Sequence, residues 1–297
     1  MEKRSLKERV KNEYLGQGFA KFCGILIILI TIAIIMFIGT KGIRTFTQNE
    51  YSLSQFLLSN NWEPDKQTSP SFGALAFILG STFVSIGAVI LSAPIAISLA
   101  IFVNVISSGV GNRFIKPALE ILVGIPSVVY GWVGISVLVP FIKNYIGGMG
   151  YSLLAGILVL SLMVLPTIAT LAIDAIRSVP DNHIEASYGL GATRWQTIIK
   201  VIVPGAKSGI LTGIVLGIAR AFGEALAVQM VIGNTIRMPN SLFSSMSTVT
   251  SVITMDMANT VGGTAWNNAL WSLALILLVI SFIFILNVRK IEKRSAI

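Results

Sequence analysis

Six stretches of the chain are almost wholly apolar, and the polar residues gather between them. They run Phe22–Ile43, Gly73–Val105, Ala118–Ile142, Tyr151–Ile176, Gly209–Ile236 and Ala269–Val288. None alternates with the period of two that a strand requires, and each is close to the ~20 residues with which a helix crosses a bilayer. In lipid only helices and closed barrels satisfy their own backbone groups. The pattern therefore predicts an all-α polytopic membrane protein with six transmembrane helices. Pro94 predicts a kink or tilt in the second helix. The first apolar run follows Lys3, Arg4, Lys7, Arg9 and Lys11, but it is longer than a signal-peptide core and lacks a small-residue cleavage site. It reads as a retained transmembrane helix.

Charge adds an orientation. Hydrophobic residues make up 54% of the chain and charged residues only 12%, against roughly a quarter charged in a soluble domain. Of the 22 Lys and Arg residues, sixteen fall in the segments that share a side with the N-terminus and five on the other side, with Arg220 left inside a span. This bias puts both termini in the cytoplasm. It divides the chain into a cytoplasmic tail (1–21), a first helix (22–43), an external loop (44–72), a transmembrane domain (73–289) and a second tail (290–297). The net charge of +9 then reports topology, and no nucleic-acid partner is expected. The external loops Thr45–Phe72 and Arg237–Asn268 are either ordinary surface loops or docking surfaces for an external partner. Cys23 and His183 are the only residues of their kinds, so no disulfide framework, thiolate or histidine metal site, or common catalytic triad is expected.

The cytoplasmic loop at 178–208 carries the sharpest local signal. Pro180 and Asp181 suit a helix start, Gly189 or Gly191 a C-terminal cap, and Thr193 the cap of a second helix leading into the membrane. Such a piece presents Ile184, Ala186, Tyr188 and Leu190 to the cytoplasm beside Glu185. These residues alone allow either a membrane-surface helix or a contact with a partner protein. Their spacing, however, resembles a known pattern. Glu185-Ala186-Ser187, three residues, Gly191, nine residues and Val201-Ile202-Val203-Pro204 are similar to the EAA loop of bacterial ABC-importer permeases. The chain departs from that pattern by Ser187, Val201 and Val203, each small or apolar. The resemblance implies a type I importer permease fold from about Phe72 to Arg289, with the first span added, in the inner membrane of a bacterial cell. It also implies that Glu185, Ala186, Gly191 and Pro204 belong to a coupling element that inserts into a cytoplasmic ATPase. No Gly-x-x-x-x-Gly-Lys-Ser/Thr phosphate loop occurs. The chain is therefore expected to be no enzyme and to hold no cofactor, with ATP and Mg bound by a separate ATPase subunit.

Two charges fall inside a span. Arg220 lies eleven residues into the fifth apolar run, or roughly 16 Å at the helical rise. Glu224 follows four residues later, which in a continuous helix places both on one face. Each costs ~2.5–3.5 kcal/mol on insertion scales. The two either neutralise each other, or Arg220 pairs with a neighbouring subunit, or Arg220 lines a substrate path and binds an anion with Glu224 orienting it. Guanidinium offers forked donors suited to phosphate. The strings Ala219–Ala225 and Glu120–Gly131, with Phe72-Gly73-Ala74-Leu75, resemble permeases of phosphate importers of the PstC type. That resemblance implies phosphate as cargo, a second permease of the PstA type, a PstB-type ATPase dimer and an external PstS-type phosphate-binding protein. Phosphonate, sulfate or molybdate remain alternatives, as does a secondary transporter without ATP. Gly124 and Pro126 either break the third span or serve close helix packing.

Overall fold

The computed structural model describes residues 16–66 and 70–295, so most of the expected N-terminal tail (1–15) and the last residues of the C-terminal one (296–297) lie outside the described residues. Helices α1 (Gly16–Thr47), α2 (Leu75–Ile106), α4 (Ser127–Tyr145), α5 (Leu153–Arg177) and the apolar part of α11 (Ala265–Ser295) are each long enough to cross a membrane. A sixth candidate crossing involves a bent pair, α7 (Arg194–Gly205) and α8 (Lys207–Gly223), which meet at 65°.

Two expected spans are corrected. The third does not begin at Ala118: α3 (Lys116–Gly124) is a separate helix, and Ile125 and Pro126 are extended before α4 starts at Ser127. A residue preceding proline is pushed out of the helical region, and Gly124 before it eases the break. The fifth does not run unbroken from Gly209 to Ile236. It stops at Gly223, Glu224 is extended (φ −73°, ψ 126°), and α9 (Leu226–Ile232) resumes until Gly233 ends it at φ +96°.

Helix α5 forms the centre. Against it α2 buries Val84, Ala88, Ser92, Ala96 and Ala100, spaced by four and hence on one stripe. Small residues let the two backbones approach, which drives helix association where lipid supplies no hydrophobic contrast. On the other side α8 offers Gly209, Gly213 and Gly217. A Cβ there would lie 2.5 Å from that of Ala175, 3.1 Å from that of Leu171 and 2.8 Å from the Ile168 Cδ1. Gly213→Leu is thus expected to destabilise the domain by about 1–3 kcal/mol through overpacking. The melting temperature in detergent checks this, and an unchanged value would contradict the packing.

Helix α1 behaves differently. Its outer end packs on α11, where Phe37 meets Trp271 edge-to-face at 5.3 Å and the Thr45 and Ser272 hydroxyls bond at 2.7 Å. From Phe19 to Phe37 its large apolar side chains are exposed, as a helix bathed in lipid requires.

The outer face has more structure than a loop reading implies. Strands β1 (Trp62–Glu63) and β2 (Ser71–Phe72) pair antiparallel, and Trp62 and Phe72 pack with Phe77 and Phe56. The second outer segment folds back into the domain. Thr248 and Ser251 form a capping box for α10 (Val249–Asp256), and Met246, Val249 and Ser251 are fully buried. At the far end of α10, burial holds the Asp256 carboxyl above the usual aspartate range. The indole N–H groups of Trp266 and Trp62 pull it down and Asp65 pushes it up, while neither indole closes a hydrogen bond of normal geometry. A raised carboxylate pKa means the folded state gains from protonation, so stability is lost as pH rises through that pKa. Asp256→Asn should therefore raise the melting temperature at neutral pH, with the gain shrinking as pH falls toward 4, as thermal melts across pH will register.

Candidate substrate path and coupling hairpin

The break after Gly223 changes what Arg220 and Glu224 do. Arg220 stands thirteen residues beyond Lys207, or about 20 Å along α8. It occupies the last turn of α8, where the partial negative charge of the helix end favours a cation. Glu224 stands just before α9, and its Oε1 accepts from the Ala227 N–H at 3.2 Å, so its negative charge meets a helix N-terminus. Each charge is matched by a helix end and not by the other. Among the described residues the only ion pair joins Lys66 to Glu63, so Arg220 and Glu224 do not neutralise each other, the first of the three readings open to them, and Lys116 and Glu120 form no pair either.

Arg220 instead donates from Nη1 to the Thr167 hydroxyl of α5 at 2.8 Å. The Tyr130 phenol of α4 lies within electrostatic reach of the same guanidinium. Tyr130 donates to the Leu122 carbonyl at 2.8 Å, satisfying a group freed by the α3–α4 break. The two broken spans pack on each other: a Cβ on Gly131 would sit 3.0 Å from the Ala227 Cα, so only glycine lets α4 come this close to α9. Behind Glu224, its backbone carbonyl accepts from the Thr250 hydroxyl at 2.9 Å, and the Val249 N–H donates to Ser81 at 2.9 Å. Ser81, Ser85, Thr248, Thr250 and Glu224 share a cavity of about 10 Å³, room for a single water. Thr167, Ser85 and Thr250 escape sequence reasoning because hydroxyl residues are common in membrane helices. Only the long-range contact distinguishes Thr167.

On the side assigned to the cytoplasm, the helix–turn–helix expectation holds. Helix α6 (Asp181–Gly189) carries Glu185 and Ala186 and ends in a turn in which Gly191 takes φ +81°. Thr193 and Gln196 then form a reciprocal capping box at the start of α7. The Ser187 and Thr197 hydroxyls bond at 3.0 Å and lock the two helices together. Pro204 stands in the last turn of α7, before the 65° elbow. The tip is exposed and apolar: Leu190 is 89% and Tyr188 44% exposed. Arg220 and Glu224 lie beyond α7 and most of α8 from this hairpin, so the two groups of residues form separate sites.

This arrangement of spans and hairpin is that of a type I ABC-importer permease. A bacterial alginate importer structure matches it with a TM-score of 0.65 at 15% identity, covering 97% of this chain and 98% of that one. The MetNI methionine ABC transporter in an inward-facing form matches with a TM-score of 0.56 at 17% identity, over 75% of this chain and 94% of that one. Residues 92–297 match the family described as binding-protein-dependent transport system inner membrane component, and the chain belongs to that family. Bacillus subtilis (strain 168) has a relative, Probable ABC transporter permease protein YqgH, 48% identical over 99% of this chain and 95% of its own length. Two relatives are named phosphate transport system permease protein PstC. That of Haemophilus influenzae is 34% identical over 86% of this chain and 85% of its own, and that of Mesorhizobium japonicum is 32% identical over 86% and 84%.

Proposed function

We propose that the chain is the PstC-like channel-forming subunit of an ATP-driven importer of inorganic phosphate. The observation that carries this reading is Arg220, a guanidinium deep in a membrane helix that meets one threonine hydroxyl and no carboxylate among the described residues. Guanidinium has five N–H donors in a planar fork, which match two oxygens of one phosphate. Relatives named as phosphate permeases support the same cargo.

In this reading an external phosphate-binding protein of the PstS type delivers the anion to the outer mouth. A PstA-type permease completes the path, and ATP with Mg is held by two PstB-type ATPase subunits. Closure of that ATPase dimer pushes on Glu185, Ala186 and the turn at Gly191. Helix α7 carries the push past Pro204 and its elbow into α8, whose far end bears Arg220. The helices rock about a site near the Arg220–Thr167 pair, and Glu224 keeps the α8–α9 break in register. The chain itself acts as a transport subunit and does no chemistry. ATPase activity of the full complex with its binding protein tests the cargo. Stimulation by phosphate but not by sulfate or molybdate is expected, and stimulation by another oxyanion alone would reassign it.

A further inference from the structure

The hairpin has a second connection to the membrane domain. Helix α2 ends in a π-helical turn, Phe102–Ile106, and the chain turns away at Ser107 (φ −146°, ψ 80°). The last carbonyls of a helix have no partner within it and carry its partial negative charge. Here they have one. The Arg194 guanidinium, at the first position of α7, donates from Nη2 to the Ile106 carbonyl at 3.2 Å and to the Val105 carbonyl. The base of that arginine is stiff, because Thr193 and Gln196 cap the helix and Thr197 is buried against Ser187 of α6. The receiving end is stiff as well: Asn104 donates to the Ile173 carbonyl of α5 at 2.9 Å. Twenty residues back along α2, or about 30 Å, Ser85 lines the small cavity at Glu224.

We propose that Arg194 is a positioning residue that carries movement of the α6–α7 hairpin into the second span. The hairpin then has two outputs, a covalent one through the elbow into α8 and a hydrogen-bonded one through Arg194 into α2. They converge on the break at Glu224, since α8 ends there and α2 supplies Ser81 and Ser85 to its wall. This rests on the coupling role given to the hairpin above. One nitrogen, Nη2, serves both carbonyls, so the role needs the reach and fixed plane of the guanidinium, which hold that nitrogen where the shorter, freely rotating lysine stem does not. A basic residue serving only as surface charge beside the ATPase would be replaced fully by lysine.

The test uses the full complex in proteoliposomes, with phosphate uptake and ATP hydrolysis read from the same vesicles. Arg194→Ala is expected to retain the ATPase and its hydrolysis while uptake per ATP falls about tenfold, the scale of lost charge-assisted hydrogen bonds. Arg194→Lys should recover only part. Wild-type coupling in the Ala variant, full rescue by Lys, or loss of the ATPase subunit on purification would each overturn the proposal. Should the Ala variant yield no folded permease, the Lys variant decides alone, full coupling counting against the positioning role. Hydrogen exchange separates this from the cargo reading. On ATP binding, residues 102–111 should change their exchange in the wild type and not in Arg194→Ala, whatever the transported anion, while 181–191 respond in both. An equal response of 102–111 in both proteins would sink the idea.

Discussion

Arg220→Gln is expected to lower phosphate uptake by about tenfold to a hundredfold, the range that removal of a charged hydrogen-bond donor spans, while the complex assembles normally. Glutamine keeps a donor for Thr167 and most of the stem, so the α8–α5 contact survives. What disappears is the positive charge in a low-dielectric site, where it has its largest effect on an anion. Arg220→Lys separates charge from geometry, because an ammonium attracts phosphate but does not grip two oxygens at once. Uptake by Arg220→Gln at the wild-type rate would rule out an essential anion contact.

Glu185→Arg is expected to detach the ATPase. The α6 tip exposes Leu190 and Tyr188, and apolar groups standing out together beyond the membrane mark a surface that another protein covers. A charge reversal within such a contact costs ~2 kcal/mol or more, about a thirtyfold loss of affinity. Co-purification of the ATPase with Glu185→Arg should therefore fall sharply, and transport with it. Full recovery of both would remove Glu185 from the contact. The two variants also differ in kind, since Arg220→Gln should spare the ATPase association that Glu185→Arg destroys.

The features legible in the sequence were those set by local chemistry. Apolar runs of membrane length mark six candidate crossings, although the fifth run is interrupted by Glu224 and becomes α8 and α9, with α7 bent 65° away from α8. The hairpin was legible because its turn needs Gly191 at positive φ and its second helix is capped by Thr193 with Gln196 three residues on. The break in the fifth run was not. Ala221, Phe222, Ala225 and Leu226 keep the hydropathy high on both sides of it, and glutamate is a good helix former, so nothing local marks Glu224 as extended. A run taken as continuous puts the two helix-end charges on one face, which is why mutual neutralisation stood among the readings open to them. Helix α10 was missed for the opposite reason. Its approach is rich in Ser and Thr and reads as an outer loop, yet its backbone is satisfied by Ser81 and its own capping box. Thr167 and Arg194 act through partners 53 and 89 residues away, a relation that no local pattern carries.

The most direct test of the account is uptake of labelled phosphate by proteoliposomes that contain the complete complex, with ATP inside or outside the compartment of the ATPase. Uptake should require ATP on the ATPase side and the external binding protein on the other. It should persist in excess sulfate or molybdate and fall in Arg220→Gln. Uptake that proceeds without ATP, or an ATP-dependent complex that moves another oxyanion and leaves phosphate behind, would contradict it.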